Sequence, residues 1–230
     1  MSTPAQTNAA AAVRSVTGRD VETTAPLRCA CYAIVSELLA SPHDLDPRAS
    51  LRDKIGAATG LARIGITSGV GLDELLEEFV AFDLQTLKRE YSGLFEVGND
   101  GPPAPIREDL QTGQRAGTRE DLVRFYNFFK YTLDDKYAWA PDHLSVELEF
   151  MHFLCYREAA AEQDALSYQL GQFDFAERHL VCWVPELAKD VAKVASDSIY
   201  RRVIDATEKF LSADYAWQCG TISAEDGGTG

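Results

Sequence analysis

Apolar residues recur at steps of three and four along most of the chain, and this period constrains the fold more than any other feature. In the clearest stretch the apolar positions are Leu72, Leu75, Leu76, Phe79, Leu87, Tyr91, Leu94 and Phe95. Such spacing places side chains on one face of an α-helix. No stretch shows the convincing two-residue alternation of a half-buried strand. The sequence therefore predicts an all-α fold, formed by a single globular helical bundle.

The same period predicts further helices and sets the domain limits. They are expected at about Ala25–Ala40, Pro47–Ala58, from Thr118, from Ala140-Pro141-Asp142, and as two or three helices over Asp164–Leu211 with a break near Pro185. The predicted helical domain is 21–218, with disordered or flexible tails at 1–20 and 219–230. A Gly- and Pro-rich segment at 98–117 is too long for a simple helix connection, so it is predicted to be a hinge loop.

Charge and composition argue against nucleic-acid binding, membrane insertion and secretion. The net charge is −14, from 22 basic and 36 acidic residues, and such a surface repels nucleic acid and anionic lipid. The N-terminus lacks the pattern of a secretory signal, and no apolar run approaches the roughly 20 residues that span a bilayer. Five cysteines, an odd number, fit thiols in a reducing compartment. We expect a cytoplasmic protein that binds no nucleic acid and does not insert into a membrane.

Enzyme motifs are few. The sequence has no phosphate-binding glycine loop and no nucleophile elbow. Glu149 and His152 form one E-x-x-H unit, which a di-iron bundle needs twice. A metal-dependent helical-bundle enzyme using carboxylate and His ligands therefore stays as the alternative function. The favoured prediction has no catalytic residue, no metal ligand and no cofactor.

One predicted helix start concentrates polar chemistry. His143 and Glu147 stand four residues apart, which predicts that they share a helix face, and Asp142 precedes them. Carboxylates there could hold Arg or Lys, and the imidazole could bond a peptide backbone. An ordinary solvated first turn remains the competing interpretation. Among the nearby aromatic residues, which core packing explains best, Phe128 and Tyr131 are the better candidates for the wall of a groove.

Three segments together resemble a known family. They are YSGLFEVGNDGPPAP (Tyr91–Pro105), YAWAPDHLSVELEFMHFL (Tyr137–Leu154) and ERHLVCWVPEL (Glu177–Leu187). In this order they resemble the TorD/DmsD/NarJ family of redox-enzyme maturation chaperones, over about Ala25–Leu211. After the paired prolines this sequence reads A-P-I-R-E-D, where many members have a Ser and a Tyr. The departure favours the branch that serves nitrate-reductase-like or type II DMSO-reductase enzymes.

The resemblance implies a function and a site. Such proteins are cytoplasmic, all-α, system-specific chaperones that bind the catalytic subunit of a DMSO-reductase-family molybdoenzyme, often at its twin-arginine leader. They hold it until the molybdenum cofactor is inserted and delay export. Guanine-nucleotide binding, linked to some members, has no phosphate loop to support it here. A monomer and a dimer that exchanges helices through the 98–117 loop both remain open. The client-binding residues that the resemblance implies are Asp142, His143, Glu147, Tyr91, Leu94, Phe95, Pro102 and Pro103.

Overall fold

The structure, a computed structural model of the 230-residue chain, describes residues 14–55, 66, 71–113, 117–134, 139–161 and 164–224. Helices dominate these ranges, which confirms the all-α prediction. The helices are α1 (Val21–Leu39), α2 (Pro47–Arg52), α3 (Leu72–Ala81), α4 (Leu84–Tyr91), α5 (Glu108–Gln111), α6 (Thr118–Phe128), α7 (Leu144–Ala160), α8 (Ala165–His179), α9 (Val184–Val194) and α10 (Ile199–Thr221). A π-helical turn, Ser92–Glu96, follows α4.

The core lies between α1 and α7, which pack along each other, with α8 and α10 against them. The Ser36 hydroxyl on α1 donates a 2.8 Å hydrogen bond to the carbonyl of Ser145 on α7. Aromatic rings fill much of the interior, and Trp183, Tyr32, Tyr91, Tyr200 and Phe150 are among its largest buried side chains. One continuous apolar cluster joins these helices, as a single bundle requires.

A charged network crosses this core. The Arg28 guanidinium donates to both carboxylate oxygens of Asp214, at 2.5 and 2.9 Å, and to the Gln172 side chain at 2.6 Å. The Tyr32 hydroxyl donates to Asp214 at 2.7 Å. Arg28 and Asp214 are fully buried, and the Arg28 charge and hydrogen bonds hold the pKa of Asp214 below its usual value despite the opposing effect of burial. The ion pair therefore ties α10 to α1.

The ends of the chain differ from the predicted tails. Strands β1 (Arg14–Val16) and β2 (Ile222–Ala224) pair antiparallel, and α10 continues to Thr221. Arg19 donates to the Thr221 hydroxyl at 3.0 Å and lies over the Trp217 ring. The described parts of both ends are thus anchored to each other. Residues 1–13 and 225–230 of the predicted tails lie outside the described residues.

The helix expected over Leu72–Phe95 is divided. Helix α3 ends at Ala81, and the Asp83 carboxylate accepts a hydrogen bond from the Thr86 amide at 2.9 Å, which caps α4. Farther on, α7 begins at Leu144 and not at Pro141. The break near Pro185 is confirmed, because this residue lies in the first turn of α9. The second helix, expected over Pro47–Ala58, ends at Arg52 with Asp53 as its C-cap, and Ala58 itself lies outside the described residues.

Candidate functional site

A cavity of about 430 Å³ opens between the end of α1, the π-helical turn, the Pro-rich segment and the start of α7. Four of the eight predicted client-binding residues line it: Tyr91, Phe95, Pro102 and His143. The remaining lining residues are Ser41, His43, Asp44, Ser92, Glu96, Ile106, Arg107, Leu110, Trp139, Ala140 and Ser145. The cavity therefore joins residues from the first two family-like segments.

The Pro-rich segment at 98–117 forms one wall of this cavity through backbone pairing. The Ala104 amide donates to the carbonyl of Leu94 at 3.0 Å, and the Leu144 amide donates to the carbonyl of Ile106 at 3.0 Å. These bonds fix the segment between the π-helical turn and the start of α7. Its described part is attached to the bundle at Ala104, Ile106 and Glu108, and it includes α5. Whether it also serves as a hinge stays a prediction.

His143 is the N-cap of α7 and lies at the floor of the cavity. Its Nδ1 accepts a hydrogen bond from the Ser145 amide at 3.2 Å, so the proton is carried by Nε2. Nε2 lies 2.9 Å from the Tyr91 hydroxyl, which donates to the carbonyl of Leu39 at 3.3 Å. This chain of bonds orients the imidazole and the phenol and links α1, α4 and α7.

The imidazole is neutral at pH 7. Burial lowers the pKa of His143 from 6.5 to about 4, the Asp142 carboxylate opposes this effect, and the Arg107 guanidinium adds to it. A neutral imidazole and a phenol can exchange hydrogen bonds with a peptide backbone and repel neither cation nor anion strongly. The floor is thus polar but uncharged.

Asp142 is fully buried and does not line the cavity. Its carboxylate accepts from Arg107 at 3.0 Å, and Arg119 lies 3.5 Å from the same oxygen. The Arg107 guanidinium in turn lies 5.7 Å from the ring centre of Trp139, a cation–π distance. Trp139 is 66% exposed. Asp142 therefore positions Arg107 and Trp139 at the mouth of the cavity.

Glu147 lies on the opposite side of the helix start, inside the core. It is fully buried, and neither carboxyl oxygen has a hydrogen bond of ordinary geometry among the described residues, although the Trp183 side chain is near enough to favour the charged form. Burial and the negative charges of Glu108 and Asp142 raise its pKa well above the usual value. His143 lines the cavity and Glu147 does not, so the two side chains do not present a common surface to it. Client contact by Glu147 would require the surrounding helices to move.

Leu94 and Pro103, the other two predicted residues, do not line the cavity. Leu94 is buried in the core, and its carbonyl accepts the hydrogen bond from the Ala104 amide of the Pro-rich segment. Pro103 is exposed beside the cavity lining. Their contact with a client stays a prediction.

The rim carries polar groups. The His43 Nε2 lies 2.8 Å from the Ser92 hydroxyl, which donates to the Glu96 carboxylate at 2.7 Å. Glu96 and Asp44 are both exposed. Two exposed carboxylates therefore line the cavity, and they could pair with a bound cation.

Glu149 and His152, the E-x-x-H pair, are not arranged as metal ligands. The His152 Nδ1 lies 3.0 Å from the Cys29 carbonyl and 3.2 Å from its sulfur. Across the described ranges, no three His, Cys, Asp or Glu side chains are placed to hold a metal ion. The same ranges contain no helix long and apolar enough to cross a bilayer.

Comparison with known sequences identifies the family. The nitrate reductase delta subunit family matches residues 67–189, a range that includes all three family-like segments. The chain belongs to the nitrate reductase delta subunit family. This finding confirms the resemblance to the NarJ-containing chaperone family and its nitrate-reductase-like branch.

Relatives within the family carry related names. The chain is 38% identical over 124 residues to the perchlorate reductase assembly chaperone protein of Dechloromonas aromatica, covering 52% of this chain and 55% of that one. It is 39% identical over 111 residues to the chlorate reductase assembly chaperone protein of Ideonella dechloratans, covering 46% and 58%. It is 34% identical over 134 residues to the selenate reductase assembly chaperone protein of Thauera selenatis, covering 56% and 68%. The match thus spans little more than half the length of the first two relatives.

Several cavity residues were not found from the sequence. Arg107 lies in the A-P-I-R-E-D stretch and Trp139 in the second family-like segment, but neither was predicted to contact a client. His43 belongs to no motif, and Glu96 lies within the first family-like segment but was not among the predicted site residues. A possible signal for Arg107 is its place directly after the apolar Ile106 in a segment otherwise rich in Pro and Gly.

Proposed function

We propose that this member of the nitrate reductase delta subunit family is an assembly chaperone for the catalytic subunit of an oxyanion-reducing molybdoenzyme. It performs no catalysis itself. The observation that carries the proposal is the cavity, which brings residues of two family-like segments, 91–105 and 137–154, to one opening. The relatives named as assembly chaperones for perchlorate, chlorate and selenate reductases support the same function.

The side chains that line the cavity suit the binding of a peptide better than the catalysis of a reaction. Its floor contains the Tyr91 and Phe95 rings and the neutral His143 imidazole, which can accept an apolar side chain and bond a backbone amide. The exposed Asp44 and Glu96 carboxylates can pair with a guanidinium at the rim. We infer that the bound segment carries arginine followed by apolar residues, as a twin-arginine leader does.

Within this proposal the eight residues have different roles. Tyr91, Phe95, Pro102 and His143 contact the client, and Asp142 acts through Arg107 and Trp139. The buried Leu94 supports the cavity wall. Loading of a cofactor into an exported subunit precedes export, so the chaperone acts in the cytoplasm.

The first experiment deletes the gene in its host and measures molybdenum in the purified catalytic subunit of the partner reductase. We expect the subunit to accumulate without cofactor, and the wild-type gene to restore it. Trp139→Ala should restore it poorly, whereas Val194→Ala, a matched exposed apolar position outside the cavity, should restore it fully. A subunit with full molybdenum content in the deletion strain would overturn the proposal.

A second experiment separates leader binding from binding to the mature subunit. Calorimetry compares a synthetic leader of the reductase with the same peptide carrying two lysines in place of the arginines. Bidentate pairing predicts that the arginine peptide binds at least about tenfold more tightly. Equal affinity would exclude bidentate arginine recognition, and no measurable binding of either peptide would place the main contact on the mature subunit.

A further inference from the structure

A second groove runs between α6 and α8, away from the cavity described above. It consists of two adjoining cavities of about 430 and 450 Å³. Both are lined by Phe128, Phe129 and Ser167, so these residues form a ridge between them. Neither cavity contains a residue of the client-binding prediction.

The ridge is apolar and unusually open. Phe128 is 75% exposed and packs edge-to-face on Phe129, with ring centres 4.9 Å apart. Phe129 in turn lies against Gly171 on α8, where a Cβ atom would come within 2.2 Å of the ring. A side chain at position 171 would collide with this ring, so the glycine lets Phe129 pack directly against α8. An exposed ring alone is ordinary, but one set between two cavities can contact a partner on both sides.

The groove holds more basic than acidic side chains, whereas the whole chain is acidic. Its ionisable lining residues are Asp121, Arg124, Asp174, Arg178, Lys130, Arg157 and Asp164. Asp121 forms an ion pair with Arg178, and Asp174 has a partner of its own. Among the described residues, Arg124 and Lys130 form no salt bridge, and Arg157 donates to the Tyr168 hydroxyl at 2.8 Å instead of to a carboxylate. In a chain of net charge −14, the four basic side chains of the groove outnumber its three carboxylates, of which Asp164 forms no salt bridge among the described residues.

The dimensions define the length of an occupant. The positions Ser167, Leu170, Asp174 and Arg178 follow one stripe of α8 at steps of three and four. At 1.5 Å per residue they extend over roughly 16 Å. That length matches about three turns of helix or five residues of extended chain.

We propose that the α6–α8 groove is a second docking surface, which binds an acidic segment of another polypeptide carrying two large apolar side chains. One apolar side chain occupies the cavity on each side of the Phe128 ridge. The carboxylates of the segment pair with Arg124, Lys130 and Arg157. The surface differs in charge from the first cavity, whose exposed rim carboxylates favour a cationic segment, so the two sites select different peptides.

The test uses the full chain and a labelled twelve-residue peptide with five glutamates and two phenylalanines four positions apart, followed by fluorescence anisotropy. Phe128→Ser and the double variant Arg124→Glu/Lys130→Glu should each weaken binding at least fivefold. The matched controls Val194→Ser and Arg52→Glu, which change an exposed apolar and an exposed basic side chain elsewhere, should leave the affinity within twofold. Replacing the glutamates of the peptide by lysines should abolish binding. Thermal melting confirms that each variant is folded.

Other outcomes would overturn the proposal. Binding that persists in Phe128→Ser but is lost in Trp139→Ala would place the peptide in the first cavity. No measurable binding at submillimolar peptide would remove the surface altogether. Sedimentation with phosphatidylglycerol vesicles that depends on Phe128, without peptide binding, would assign the ridge to a membrane surface instead. Because no reductase is used, these results are independent of the proposed chaperone function.

Discussion

The Nε2 atom of His143 lies 2.9 Å from the hydroxyl of Tyr91, a residue 52 positions earlier in the chain. The bond joins the start of α7 to the end of α4 and lies at the floor of the cavity. Because the imidazole accepts from the Ser145 amide on its other side, only the neutral ring satisfies both neighbours. The same residue thus caps a helix and shapes a binding surface.

The first prediction concerns pH. The unfolded imidazole titrates near 6.5 and the folded one near 4, so between these values the unfolded chain holds a proton that the folded chain lacks. The contribution of the neutral His143 to the free energy of unfolding is therefore complete above pH 6.5 and is lost as the pH falls through 4. After allowance for partial exposure, this loss amounts to about 2–3 kcal/mol. Asn can still cap the helix, so His143→Asn should remove this dependence and keep the fold.

Urea denaturation of wild type and His143→Asn at pH 7.5, 5.5 and 4.5 measures this pH dependence of stability. The stability difference between wild type and His143→Asn should shrink as the pH is lowered. Parallel pH profiles for the two proteins would show that His143 is readily protonated in the folded state.

The second prediction concerns Asp142. Asp142→Asn removes the charge that holds Arg107 and Arg119, and it should destabilise the protein by about 1–3 kcal/mol, because hydrogen bonds between charged groups are lost at a buried carboxylate. Asp44→Asn, which alters an exposed carboxylate of the same cavity, should change stability by less than about 0.5 kcal/mol. Chemical denaturation compares the two. An Asp142→Asn protein as stable as wild type would contradict the positioning role.

The third prediction concerns Glu147. Because its folded pKa is raised, the unfolded carboxyl loses its proton above about pH 4.5 while the folded one keeps it, and wild-type stability falls as the pH rises. Glu147→Gln has no such dependence. Its stability relative to wild type should therefore increase with pH, by up to about 1.4 kcal/mol per pH unit. A difference independent of pH would show that Glu147 is ionised in the folded protein.

Helices are predictable here because the apolar period is local in sequence. The period continues across Asp83, so it predicted one helix where the structure has two and a π-helical turn. The break depends on a side-chain cap, from Asp83 to the Thr86 amide, which leaves the apolar spacing unchanged. The spacing of apolar residues therefore predicts which face of a helix is buried, but it does not predict where the helix is interrupted.

The cavity was predictable only in part for a different reason. The family-like segments contain Tyr91 and His143, so the resemblance reached them. Burial is not visible in a motif, and Glu147 was assigned to the surface although it lies in the core. Arg107 reaches the site through backbone pairing with the residues around His143, a contact between distant segments that no local pattern encodes.

The fourth prediction concerns the charged network of the core. Asp214→Asn removes the carboxylate that Arg28 contacts at 2.5 Å and leaves the buried guanidinium with only one carboxylate among the described residues, Glu158, at 3.5 Å. Loss of one partner of a buried ion pair costs about 3–5 kcal/mol. Glu186→Gln breaks the Glu186–Lys189 pair, whose side chains are 55% and 65% exposed, and should cost less than about 1 kcal/mol. Thermal and urea unfolding of both variants measures the contrast. Equal small losses would show that water reaches Arg28, and that the link between α1 and α10 is apolar packing alone.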